Sequence, residues 1–207
     1  MKVLLLNGSP NKNGCTYTAL KIAADRLIEN GVDAEIIYVG DNEKGCMGCG
    51  ACSKTGRCAF GGKVNEVAEK LAEADGLIVG SAVHYASASG AVTGFLDRLF
   101  FSVPSSALRM KFGACIVSCR RGGASSTFDQ LNKYFTISQM PVVSSCYWNM
   151  VHGFTPADVL ADKEGVRTVQ VLADNMAYLI KAKEKANLPL PELPPRAVTN
   201  FVREDLL

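Results

Sequence analysis

Five times along the chain a short, unbroken apolar run gives way to a longer segment with helical spacing. This alternation limits the fold more than any other feature. The runs are "KVLLLN" at 2–7, "AEIIYVG" at 34–40, "GLIVGSAVHY" at 76–85, "KFGACIVSC" at 111–119 and "MPVVSSCYWNM" at 140–150. They do not alternate apolar with polar residues, so each reads as a strand buried on both faces, as in a parallel sheet covered by helices. Between them, residues 15–30 place Tyr17, Leu20, Ala24, Leu27 and Ile28 on one helical face, and 63–73 do the same with Val64, Val67, Ala68 and Leu71. A third helix carries Phe95, Leu96, Leu99 and Phe100, and a fourth ends near 138. The last covers 156–184, with Asp162-Lys163-Glu164-Gly165 as an interruption near its start.

Repeated strand–helix units connected by right-handed crossovers leave few topologies. The expectation is an α/β, flavodoxin-like, doubly wound five-stranded parallel sheet of order 2-1-3-4-5, with helices on both faces. Residues 1–184 form this domain, with a cysteine-rich loop at 45–62. Residues 185–207, beginning "NLPLPELPPR" at Asn187, are Pro-rich and read as an extended arm. That arm either straps its own domain or reaches a neighbouring subunit.

A chain of 207 residues buries roughly 70% of its unfolded surface, so its core needs neither disulfides nor a metal to fold. The formal net charge is +2, with no basic block, which removes the usual footprint of a nucleic-acid or acidic-membrane partner. The apolar stretches fall short of the roughly 20 residues that span a bilayer. "MKVLLLNGSP" breaks too early for a secretory signal. The expected location is the cytoplasm, where eight cysteines serve as thiols, ligands or redox groups.

In such a sheet, ligands bind beyond the carboxyl ends of the strands, where strand order reverses. The first strand ends there in "NGSPNKNGCTYT". Ser9, Asn11, Asn13, Thr16 and Thr18 supply polar groups, and a helix starting near Cys15 presents free N–H groups, which suits a phosphate dianion. The Walker pattern requires Lys-Ser/Thr after its second glycine, whereas Cys15-Thr16 follows Gly14. A terminal monophosphate, as on FMN, fits better than a triphosphate. The third strand delivers Ala82, Val83, His84 and Tyr85 to line a flat ring, with Tyr85 as a stacking group. The fourth delivers Ser118, Arg120, Gly122 and Gly123, with Arg120 near the N1/O2 edge, where positive charge favours reduced flavin. Three convergent loops describe a flavin pocket.

"GSPNKNGCT", the loop from Ser81 to Ser89 followed by "FLDR", and "SCRRGG" together resemble the NADPH-dependent FMN reductase family of flavodoxin-like proteins, over roughly the first 150 residues. Cys46, Cys49, Cys52 and Cys58, in "CMGCGACSKTGRC", are similar to the compact motif of that family's iron–sulfur flavoprotein branch. The resemblance implies FMN, a homodimer or dimer-based tetramer, and electrons drawn from NAD(P)H or ferredoxin.

Read by spacing, three cysteines two residues apart with glycines between them let sulfurs converge on one [4Fe-4S] cubane, which Cys58 would close. A structural zinc site normally pairs two separated Cys-x2-Cys knuckles, and the second is missing. A loop of reduced thiols over the flavin edge, thiols that oxidise to disulfides in isolated protein, or a zinc ion remain the alternatives. Cys115, Cys119 and Cys146 read as core residues, and His84 and His152 as hydrogen-bonded loop residues. Trp148 reads as packed in the core, with a flavin cap across a dimer contact as its other role.

No Ser-His-Asp set or paired acid–base carboxylates stand out, so the chemistry expected is the cofactor's own. The first functional expectation is an FMN-dependent oxidoreductase passing electrons from NAD(P)H to a quinone, flavin or other small acceptor. The alternative is an iron–sulfur flavoprotein that carries electrons between ferredoxin-like donors and acceptors. A non-redox flavin- or nucleotide-binding module is the third.

Overall fold

The computed structural model describes residues 1–41, 44–195 and 197. In chain order the elements are β1 (Lys2–Asn7), α1 (Cys15–Glu29), β2 (Asp33–Tyr38), α2 (Cys52–Thr55), α3 (Lys63–Glu73), β3 (Gly76–His84) and β4 (Ser87–Ala88). They continue with α4 (Gly90–Ser102), α5 (Ser105–Leu108), β5 (Phe112–Cys119), α6 (Ala124–Ile137), β6 (Met150–His152), α7 (Pro156–Ala161) and α8 (Lys163–Ala186). The parallel strands lie in the order β2-β1-β3-β5-β6, while the two-residue β4 folds back antiparallel on β3. Counting only the parallel strands, this is the expected 2-1-3-4-5.

Because successive side chains of a strand point to opposite faces, each central strand feeds two cores. Leu4, Leu6, Leu77, Val79, Cys115 and Val117 pack under α3, α4 and α6, against Val67, Leu71, Phe95, Leu96, Leu99 and Phe135. Val3, Leu5, Ile78, Ala114 and Ile116 face the other way, against Leu20 and Leu27 of α1 and Leu172, Met176 and Ile180 of α8. Full burial of each such large side chain contributes about 1.5–3 kcal/mol, so the strands that carry the site loops are the best-anchored part of the molecule.

The fifth strand differs from the expectation of 140–150. Residues 141–143 join the sheet's backbone ladder through Gly113, which donates its N–H to the Pro141 carbonyl and accepts from Val143 N–H. The chain then leaves the sheet and rejoins it as Met150–His152 beside Val117–Cys119. Ser144 to Trp148 form an excursion, and an edge strand tolerates this because only one neighbour loses its ladder bonds. Two core assignments fall with it: Trp148 is 53% exposed, and Cys146 is exposed. Cys115 and Cys119 are buried, as expected.

The interruption before the last helix is real. Asp162 ends α7 and caps α8, accepting from Gly165 N–H at 3.0 Å. Beyond α8, Asn187 turns through a left-handed conformation and the chain runs on without regular structure. Arg109 donates to the Pro191 carbonyl at 2.6 Å. The arm's remaining residues, 196 and 198–207, lie outside the described residues. Among those described, no helix is long and apolar enough to cross a membrane.

The sheet and the site meet at Gly8. Its N–H donates to the Gly80 carbonyl at 2.9 Å, and its own carbonyl accepts from Ser89 Oγ at 2.6 Å. A Cβ at Gly8 would lie 2.3 Å from Val92 Cβ, so the backbone sits where only glycine fits. Gly8→Ala is expected to destabilise the fold by about 1–3 kcal/mol, the usual cost of overpacking. Urea unfolding measures this; an unchanged midpoint would show that α4 yields without cost.

Candidate functional site

The loop after β1 is wound by its own side chains. Asn7 Oδ1 accepts from Ser9 N–H at 3.2 Å, Ser9 Oγ accepts from Asn11 N–H at 3.2 Å, and Asn11 Oδ1 accepts from Asn13 N–H at 3.3 Å. Three short-range turns of this kind curl the chain into a concave path. The loop ends at Gly14, which begins α1 with no side-chain cap. The first N–H groups of this helix have no intrahelical partner, and its dipole adds partial positive charge. Gly40, following β2, supports the loop from behind, since a Cβ there would lie 2.0 Å from the Ser9 carbonyl oxygen.

A cavity of about 360 Å³ opens above this turn, within the roughly 300–1,000 Å³ usual for ligand sites. Ser9, Asn11, Cys15, Thr16, Ala82, Val83, His84, Ser118 and Arg120 line it. Nine sequence-predicted residues from three loops are thus brought together. Thr16 and Ser118, both buried, share a hydrogen bond at 2.7 Å that ties the start of α1 to the end of β5. The arrangement fits a terminal phosphate on the α1 N-terminus and a flat group between small side chains.

The other five predicted residues stand outside this wall. Asn13 faces a second cavity along β2, beside Lys12, Tyr17 and Tyr38. Thr18 turns its hydroxyl back to the Gly14 carbonyl at 3.1 Å. Tyr85 is fully exposed, because it and Ala86, with φ of 51° and 58°, make the tight turn joining β3 to β4. Gly122 meets nothing within 4 Å of a notional Cβ, whereas at Gly123 (φ +90°) such an atom would lie 2.6 Å from Ala86 Cα. Gly123 therefore lets α6 close on the β3–β4 hairpin and is needed for packing.

Cys119, Gly153 and Phe154 also line the cavity and were not anticipated. They follow from the pairing of β6 with β5, which carries the next loop to the site. Cys15 Sγ donates to the Gly153 carbonyl at 3.6 Å, and Cys119 Sγ lies 3.4 Å from His152 Nδ1. Burial pushes both thiols above their ordinary range. They stay protonated at neutral pH and place no negative charge beside an anion. Phe154 is 80% exposed at the rim, and Asp158 sets its backbone by accepting from Phe154 N–H at 3.0 Å and Thr155 N–H at 2.8 Å.

The cysteine loop forms a separate centre. Cys46, Cys49, Cys52 and Cys58 line one cavity of about 250 Å³, together with Met47, Phe60, Arg98 and Phe101. Gly48 and Gly50, with φ of 64° and 69°, provide left-handed reversals between the first three cysteines. Asn65 of α3 holds Cys58 from both sides: its Oδ1 accepts from Cys58 N–H and its Nδ2 donates to the Cys58 carbonyl, each at 3.0 Å. Arg98 of α4, only 5% exposed, donates Nε–H to Cys58 Sγ at 3.3 Å. Among the described residues no three His, Cys, Asp or Glu side chains meet at a single-ion site. A cubane takes thiolates at four separate corners, and the four thiols that border this one cavity are the donor type and number such a group would need.

Comparison with known proteins agrees with this geometry. The family described as NADPH-dependent FMN reductase matches residues 1–155. An iron–sulfur flavoprotein of Methanocaldococcus jannaschii is 31% identical over 193 residues, covering 89% of this chain and 100% of its own. Among solved structures, RosB with a bound intermediate, 8-demethyl-8-formylriboflavin-5'-phosphate, superposes with a TM-score of 0.68 at 13% identity, covering 99% and 96% of the two chains. A flavodoxin from the domain Archaea gives 0.59 at 16% identity, covering 87% and 99%. The fold is flavodoxin-like, and the chain belongs to the NADPH-dependent FMN reductase family, in its iron–sulfur flavoprotein branch. It is a flavoprotein with an oxidoreductase or electron-transfer role.

Two substitutions probe the flavin crevice. Thr16→Val leaves buried Ser118 Oγ without its partner, which costs about 1–3 kcal/mol, and is expected to weaken FMN binding; fluorescence titration checks this. Asp158 is held below the usual carboxylate range by the Thr155 and Phe154 amides. Its stabilising effect is therefore present above the unfolded carboxylate value, about 3.9, and is lost as pH falls through the lower folded value. Asp158→Asn should lower the thermal midpoint at pH 7 and flatten its decline towards acid pH.

Proposed function

We propose that this chain is a two-centre electron carrier, with FMN in the crevice at the sheet's reversal point and a [4Fe-4S] cluster on Cys46, Cys49, Cys52 and Cys58. The observation that carries the reading is that all four cysteines line a single cavity, with the Arg98 guanidinium against one of the sulfurs. Bound FMN supplies transfer of electrons in ones or twos, and a cluster supplies one-electron transfer. Ser9, Asn11 and the N-terminus of α1 would hold the phosphate, while the Thr16–Ser118 bond fixes the distance between two walls. Ala82, Val83 and His84 would flank the ring, and Arg120 would supply positive charge at its edge. Met47, Phe60 and Phe101 place apolar surface around the sulfurs.

A second reading, suggested by the family's description, takes NAD(P)H as donor and a quinone, free flavin or other small acceptor as oxidant. A cytoplasmic location is consistent with eight cysteines that are all free. Exposed Phe101, Trp148 and Phe154 support a homodimer or a dimer-based tetramer, in which such surface would be covered.

Anaerobically prepared protein is expected to hold one FMN and about four irons per chain. Cys58→Ala should lose iron and retain FMN, as read by iron, sulfide and flavin analysis. Stopped-flow mixing with a reduced ferredoxin is expected to outpace NADH and NADPH. Iron-free protein that reduces a quinone with NAD(P)H at full rate would establish the second reading instead.

A further inference from the structure

Arg98 belongs to "FLDR", a stretch whose first two residues are explained by packing, since Phe95 and Leu96 are fully buried. Asp97 accepts from Tyr134 OH at 2.6 Å. Arg98 itself is buried on the face of α4 that meets the cysteine loop. Its Nε–H points at Cys58 Sγ (3.3 Å), one terminal nitrogen donates to the Lys44 carbonyl (3.4 Å), and the other donates to the Gly61 carbonyl at 2.8 Å. Lys44 precedes the first cysteine and Gly61 follows the last. One rigid fork therefore holds both ends of the loop and one of its sulfurs.

A buried guanidinium is costly to desolvate unless its donors are satisfied. Here three of them end on the cysteine loop, so helix and loop are coupled. An N–H donated to a ligand sulfur, together with a nearby positive charge, stabilises the more negative, reduced state of a cluster, because hydrogen bonds to sulfur and net charge both set its potential. Lysine is no equivalent, since its ammonium is a point charge on a flexible stem and lacks a planar fork.

We propose that Arg98 is the positioning residue of the cysteine loop, closing it at Lys44 and Gly61 and raising the reduction potential of a cluster held by Cys58. The second part rests on the cluster reading above; the first does not.

The test compares anaerobically prepared wild type, Arg98→Gln and Arg98→Lys, with full iron and FMN content established for each. In EPR-monitored dithionite titrations, Arg98→Gln is expected to lower the potential by at least the equivalent of a tenfold change in the one-electron equilibrium, about 59 mV. Arg98→Lys, which keeps the charge, should shift it less. In iron-free protein, hydrogen exchange of residues 44–61 should speed up several-fold in both variants, while exchange of β1 and β3 stays unchanged. Potentials equal to wild type in iron-replete variants would overturn the tuning role. Unchanged exchange of the loop would overturn the clamp. Wild type that takes up no iron would overturn the cluster reading and the tuning with it, leaving exchange to decide the clamp alone.

Discussion

The contact on which the binding crevice depends is the backbone pair between Gly8 and Gly80, reinforced by Ser89 Oγ on the Gly8 carbonyl. At this place β1 and β3 stop being neighbours in a sheet and become two walls. A side chain at Gly8 would strike Val92, and at Gly80 a Cβ would lie 2.8 Å from Thr16 Cγ2. Close approach of two bare backbones thus brings the N-terminus of α1 near the small residues after β3. The Thr16–Ser118 hydrogen bond extends the same fixation to β5. The crevice is formed by the two cores pressing the sheet from opposite sides, and its geometry is inherited from them.

The two centres are built on different principles. The flavin crevice sits on the ends of buried strands, so its walls hold their spacing with nothing bound. Among the described residues the cysteine loop has little regular structure beyond the single turn of α2, and its sulfurs line a cavity that exposed Met47, Phe60 and Phe101 border. It takes its order from outside, through Asn65 of α3 and Arg98 of α4. The crevice walls are thus fixed by the cores beneath them, whereas the cysteine loop is held by side chains reaching it from two helices.

The sheet and its order were legible because continuous apolar runs separated by helical periodicity admit few other solutions, and the convergence of Ser9, Asn11, Thr16, Ala82 and Ser118 followed from that topology. The placements that missed were set by contacts distant in sequence. Tyr85 is aromatic and close to the pocket in sequence, yet a tight turn spends it on the exterior. Trp148 and Cys146 were read as core because their segment resembled a whole strand; the excursion after Val143 leaves no periodic trace. Phe154 and Gly153 depended on where the fifth strand rejoins the sheet. Arg98 stands in "FLDR" with nothing in the sequence to mark its contacts, since its reach to Lys44, Cys58 and Gly61 exists only once α4 packs against the cysteine loop.

The excursion in the fifth strand has a further consequence. A long, straight border of unpaired amides invites another polypeptide to add on and spread the sheet beyond the molecule. Here one border is reduced to a single bridge and three residues, and the other, β2, carries Glu35 held by Lys2 and Lys70. Charged side chains and a broken edge are among the devices that discourage such sideways growth of a sheet of mostly apolar strands.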